Sequence, residues 1–177
     1  MESEAILTAS IAALVAFVGW IVVHLFSMHA TKQNIKWQNA IAYRKAQLEE
    51  LYGPIYSMLK TNEQIYAIWK RGDIKEINFD VKKNFESNNN EIRRILQQKA
   101  HLIDGNEIPQ LFIDFMTSAM IWNWYCAKGD DAKLPDAVKA LPETSDIIMD
   151  KFRVHIFEKT KILKLKLDEL YKKNRIE

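Results

Sequence analysis

Arg94 and His101 are the two residues whose types and spacing offer chemistry. They bound the segment Arg94-Ile-Leu-Gln-Gln-Lys-Ala-His101. Seven residues make about two helical turns, so both side chains leave one helix face, about 20° apart. That face lies opposite the apolar stripe Ile92, Ile95 and Leu102, which places the pair outside the core. A guanidinium holds a phosphate and an imidazole moves a proton, the two tasks of an RNA-cleaving site. Any helix with an Arg and a His often shows this spacing, so two solvated side chains are the plainer reading. Other chemistry is thin. Of four histidines, His24 and His29 fall in an apolar N-terminal region, leaving His101 and His155. The sequence has no HExxH, no phosphate-binding loop, no GxSxG, no cysteine pair for zinc and no Glu-x-x-His pair. No cofactor and no metal ligand set is expected.

The elements that must position this pair read as helices throughout. Residues 34–70 carry Ile41, Leu48, Ile55 and Trp69 at heptad spacing, with Leu51, Met58 and Ile65 between them, the seam of a bundle. Asn62 interrupts that seam, either to fix register or because it is exposed. Gly53-Pro54 is expected to kink or split the helix. Residues 72–88 read as a loop or a short irregular helix. Asn88-Asn89-Asn90 is expected to cap a helix that runs to about Asp104 and closes at Gly105. Pro109 opens an aromatic helix to about Lys128, expected to be buried and central. A last helix runs from Pro142 or Thr144 to about Lys173, with Ile148, Phe152, Ile156, Leu163, Leu167 and Leu170 on its core stripe. Ile147, Val154 and Leu165 form a second apolar edge beyond what one core face needs. With no alternating strand pattern, an all-α, antiparallel four-helix bundle is the economical packing.

The chain before this bundle has a different character. Ala5 to Thr31 contains no Asp, Glu, Lys or Arg. A bilayer core needs about 20 mainly apolar residues in a helix, so residues 5–28 are expected to form one transmembrane helix and residues 32–177 one cytosolic domain. The acidic start, Glu2 and Glu4, and the long apolar run do not fit a cleaved secretory signal. Lys32, Lys36, Arg44 and Lys45 follow the run, and positive flanks stay in the cytoplasm. The expected topology is thus single-pass, with the N-terminus outside and the rest of the chain in the cytoplasm. A lone cysteine, Cys126, agrees with a reducing compartment. On a helical projection Ala5, Ala9, Ala12, Ala16 and Gly19 share one side, and small residues let membrane helices approach closely. This stripe is read as a self-association face.

An Arg-x(4–6)-His element on a helix of a small four-helix bundle resembles the HEPN superfamily. Together with one N-terminal membrane helix and this size, the chain is similar to the small accessory membrane proteins of type VI-B, RNA-targeting CRISPR systems. The resemblance covers the full chain by layout and rests on Arg94 and His101 as its one motif. It implies a pore-like homo-oligomer embedded in the bacterial inner membrane that strengthens antiphage defence, with the RNA-targeting effector or RNA as further partners. Active HEPN ribonucleases usually place a polar residue directly after the Arg. Ile95 stands there, which favours an inactive bundle used for assembly.

Three readings therefore stand side by side. The chain is an oligomeric membrane effector, a membrane-tethered ribonuclease with Arg94 and His101 at a protomer contact, or a tether for a cytosolic partner.

Overall fold

The computed structural model describes residues 2–71, 79–105, 107–128 and 145–174. Most of these residues are helical, with no strand among them. Helix α1 spans Glu2–Ala46 and passes through a π-helical turn, Gln47–Tyr52, into α2, Gly53–Lys70. Helix α3 is Phe79–Gln98 and is followed by a 3-10 turn at Ala100–Leu102. Helices α4 and α5 are Gln110–Lys128 and Ser145–Asn174.

Gly53-Pro54 explains the π turn. Pro54 has no N–H to give the carbonyl four residues back, and its ring crowds that carbonyl. The chain answers by widening one turn, so the Gly53 N–H reaches the Leu48 carbonyl, five residues back. The backbones come close enough that a Cβ on Gly53 would sit 2.4 Å from the Leu48 oxygen. The expected break is thus a widened turn inside one rod.

Contacts set the directions. Asn62 of α2 meets Asn88 of α3, and Glu50 meets Lys99, so these segments run antiparallel. Phe112 faces His155 while Phe115 stacks on Phe152 at 3.9 Å, which makes α4 and α5 antiparallel. Helix α5 also lies against the rod. Arg153 reaches Glu63, Phe157 packs on Tyr56, and Lys173 sits over the Trp37 ring. Most of the expected core positions are buried, among them Leu51, Ile55, Ile92, Ile95, Leu102, Ile148, Phe152, Ile156 and Leu163, with Phe112 and Phe115 of the aromatic helix, whereas Ile41, Leu48, Met58, Ile65, Leu167 and Leu170 are half-buried.

Three expectations need correction. The Asn run does not cap a helix, because α3 starts at Phe79 and carries Asn88–Asn90 in its interior. There the amides work across helices: Asn88 donates to Asn62, and Asn123 donates to Asn90. Helix α4 is not buried all round. Ile113, Met120 and Trp124, spaced by seven and four residues, form an outward stripe, with Met120 55% exposed. Helix α3 also ends at Gln98 rather than near Asp104. The second apolar edge of α5 is exposed as expected, at Ile147, Val154 and Leu165.

Helix α1 is long and apolar enough to cross a membrane. From Ser10 to Met28 every side chain is exposed, and the bundle buries none of this stretch.

Candidate functional site

The early end of α3 separates Arg94 from His101. Lys99 adopts φ −110° and ψ 20°, outside helical geometry, and His101 lies in the following 3-10 turn. Two helical turns of uniform geometry no longer connect the residues. Arg94 keeps to its own helix, where its guanidinium donates to both carboxylate oxygens of Glu91 and to Gln98. The side chain is 53% exposed. Exposed His101 instead lies toward the π turn. Glu50 there is held below the ordinary carboxylate range by the hydrogen bond and charge of Lys99, with His101 adding a smaller effect.

The turn that displaces His101 builds a different constellation around Asp104. Its carboxylate accepts Arg44 Nη1 at 2.9 and 3.2 Å, Lys159 Nζ at 2.7 Å and Gln47 Nε2 at 2.9 Å. Gln47 is fully buried and also donates to the Leu102 carbonyl at 2.7 Å, while its own oxygen accepts from Arg44. Burial pushes the Asp104 carboxyl upward, but the hydrogen bonds of Lys159 and Gln47 and the charges of Lys159 and Arg44 outweigh it. Its pKa falls to about 2. Tyr52 nearby is buried and also feels the Asp104 charge, and its hydroxyl rises to about 12. His155, pressed edge-on against Phe112 at 5.4 Å, is pushed below the ordinary imidazole value by burial, then by Lys159.

This cluster joins the end of α1, the turn after α3 and the middle of α5. Both oxygens of the Asp104 carboxylate are engaged by Arg44, Gln47 and Lys159, which makes the cluster a joint between helices. Beyond it, α1 and α5 border a groove lined by Ala40, Arg44, Lys166, Glu169, Leu170 and Lys173. Lys159, Lys166 and Lys173 recur every seven residues and so share one stripe of α5. That spacing was visible in the sequence. The acid that separates Lys159 from its two neighbours comes from another element, and no spacing rule carries it.

A second polar seam lies between α3 and α4. Asn89 Oδ1, Arg93 Nε, Ser118 Oγ and Asn123 Oδ1 are buried without a hydrogen-bond partner. Among the described residues no group of three or more His, Cys, Asp or Glu is placed to hold a metal ion.

In the apolar part of α1, Ala12, Ala16 and Gly19 are exposed, and a Cβ on Gly19 would meet nothing within 4 Å. Ala5 and Ala9 lie in the same helix, but their side chains are outside the described set. Trp20 and His24 stack at 5.3 Å. Comparisons with protein-family models, curated proteins and solved structures return no significant match to this chain.

Proposed function

We propose that the chain is a single-pass membrane protein that works as a homo-oligomer. The observation that carries this reading is the surface distribution of apolar side chains. A soluble monomer rarely exposes a contiguous apolar patch beyond a few hundred Å². Here nineteen consecutive residues of α1, Ser10 to Met28, are uncharged and uncovered. Lipid is the solvent that suits them. Two further stripes then remain on the bundle, Ile113/Met120/Trp124 on α4 and Ile147/Val154/Leu165 on α5. They lie beyond the uncharged run, so a second copy of the chain is the partner that covers them. A contact that repeats head-to-tail about an axis closes into a ring, with the uncharged helices gathered near its centre.

On this reading the N-terminus is outside and the bundle is cytoplasmic, because the basic residues follow the apolar run. The resemblance to accessory membrane proteins of type VI-B CRISPR systems adds the role: a pore-like effector that strengthens antiphage defence. A ribonuclease needs Arg94 free to meet a phosphate, and the bidentate hold of Glu91 disfavours it. The decisive measurement is the mass of the detergent-solubilised full-length protein. A discrete multimer supports the assembly. A monomer at concentrations well above those in cells removes it and leaves the tether.

A further inference from the structure

We propose that the groove between α1 and α5 is a binding site for a small phosphate-bearing solute of the cytosol. The groove has a volume of about 250 Å³ and is lined by Ala40, Arg44, Lys166, Glu169, Leu170 and Lys173. That is below the usual range of roughly 300–1,000 Å³ for pockets that hold whole small molecules. It corresponds to about eight waters at about 30 Å³ each. The size suits one anionic group with a small substituent.

Charge decides the class. Arg44 and Lys159 share the single carboxylate of Asp104. Lys166 and Lys173 line the groove with Glu169, and neither has an ion-pair partner among the described residues. In the groove and the joint beside it, four cations thus stand against two carboxylates. A phosphomonoester carries about −1.5 to −2 at pH 7, which matches the surplus. Donors are also in place. The hydrogen bonds that Arg44 makes among the described residues all run through Nη1. Its Nη2 and Nε remain for an oxyanion, and Asp104 holds the guanidinium still. A fixed guanidinium with two lysines is the arrangement that favours phosphate.

Position decides between a lipid headgroup and a dissolved ion, on the reading that α1 spans the membrane. Ala40 and Arg44 lie nine and thirteen residues past Thr31, roughly 14–20 Å further along the helix. The headgroup layer extends only about 5–8 Å beyond the hydrocarbon. A lipid phosphate therefore stops short of the groove, and the occupant comes from solution. Bound there, it bridges α1 to α5 at the point where the uncharged helix joins the bundle.

Thermal unfolding of the full chain in phosphatidylcholine nanodiscs tests this, with sodium phosphate titrated against sodium chloride at matched ionic strength. Wild type is expected to show a saturable rise in Tm, roughly 5–10 °C at about a hundredfold excess over half-saturation. The double variant K166Q/K173Q replaces exposed side chains and should fold, yet lose the saturable rise. E169Q should move half-saturation to lower phosphate. General salting-out by phosphate does not saturate and affects all variants alike. No saturable rise in wild type, or an equal one in K166Q/K173Q, overturns the site. Replacing part of the phosphatidylcholine by phosphatidylglycerol distinguishes the source. If that alone reproduces the rise through Lys166 and Lys173, the occupant is a headgroup and the dissolved-solute assignment fails. These outcomes do not depend on oligomer mass, so this site and the assembly fail separately.

Discussion

Asp104 holds Arg44 at 2.9 Å across 60 positions of sequence. One partner stands at the end of the helix that carries the uncharged run, the other in the turn after α3. Lys159 joins them from α5 at 2.7 Å. Both cations are about three-quarters covered, with 26% and 23% of the side chain exposed. Removing the acid leaves two like charges close together and partly desolvated. Asp104→Ala is therefore expected to cost about 2–3 kcal/mol, less than a fully buried pair because solvent still screens it. Chemical denaturation of the detergent-solubilised chain measures the loss. A change within about 0.5 kcal/mol, the usual range for plain surface, would show that the joint carries no load.

Gly53→Ala tests the π turn. The new Cβ would sit 2.4 Å from the Leu48 carbonyl oxygen, a backbone atom that cannot rotate away. Either the turn rewinds against Pro54 or the rod bends. Overpacking of this kind costs about 1–3 kcal/mol, which corresponds to a drop of several degrees in Tm. Gly19→Ala, by contrast, meets open space within one chain. Its folding cost should be negligible, so any loss of oligomer there reports a contact between copies.

The bundle was legible because its apolar stripes recur at helical spacing, and burial alone decides that pattern. Ile92, Ile95 and Leu102 form such a stripe, and they are buried. The helix end between Arg94 and His101 was not legible. Whether His101 continues the helix of Arg94 depends on where α3 stops, and the stop is fixed elsewhere. Gln47 of the π turn claims the Leu102 carbonyl, and Asp104 must turn toward Arg44 and Lys159. These bonds span more than fifty residues and have no local signal. The Asn run misled for a related reason. Asn is a good cap by propensity, but Asn88 and Asn90 find side-chain partners on α2 and α4 that only the packed helices supply.

Acid should loosen this joint in two steps of one sign. The folded pKa of Asp104 is depressed to about 2. Its contribution is therefore present above the ordinary aspartate value near 4 and is lost as pH falls toward 2. His155 is depressed as well, by burial first. The unfolded chain binds that proton more readily, so stability falls as pH drops through the ordinary histidine range near 6.5. Unfolding free energy measured from pH 8 to pH 3 should decline first near pH 6.5 and again below pH 4. His155→Gln should remove the first decline and keep the second. If the variant and wild type decline alike above pH 5, His155 is not the group that titrates.

Arg94 and His101 should be cheap to replace. Among the described residues Arg94 is bonded only within α3, at half exposure, and His101 is exposed. Arg94→Ala and His101→Ala are each expected to change folding stability by no more than roughly 0.5 kcal/mol. On the non-enzymatic reading purified wild type leaves single-stranded RNA intact. RNA degradation by wild type that both variants lose, while folded and assembled, would reverse it and restore the ribonuclease.

Two surfaces compete to hold copies together, and paired variants distinguish them. Ala12 and Ala16 lie on the small-residue side of α1 and are exposed. Ala12→Leu with Ala16→Leu adds bulk yet keeps the helix apolar, so insertion should be unaffected while close approach is blocked. Met120 and Leu165 are 55% and 56% exposed on the outward stripes of α4 and α5. Met120→Lys with Leu165→Lys places a charge on each stripe without touching the core. Surface changes of this kind leave folding within about 0.5 kcal/mol, but a charge buried against a second copy is costly. Mass of the solubilised protein should fall to smaller species in both double variants if both surfaces form the assembly. A loss in the lysine variant alone places the contact in the bundle and makes the α1 stripe a lipid-facing surface. Unchanged mass in both, with wild type multimeric, would exclude these surfaces and return the stripes to ordinary exposed side chains.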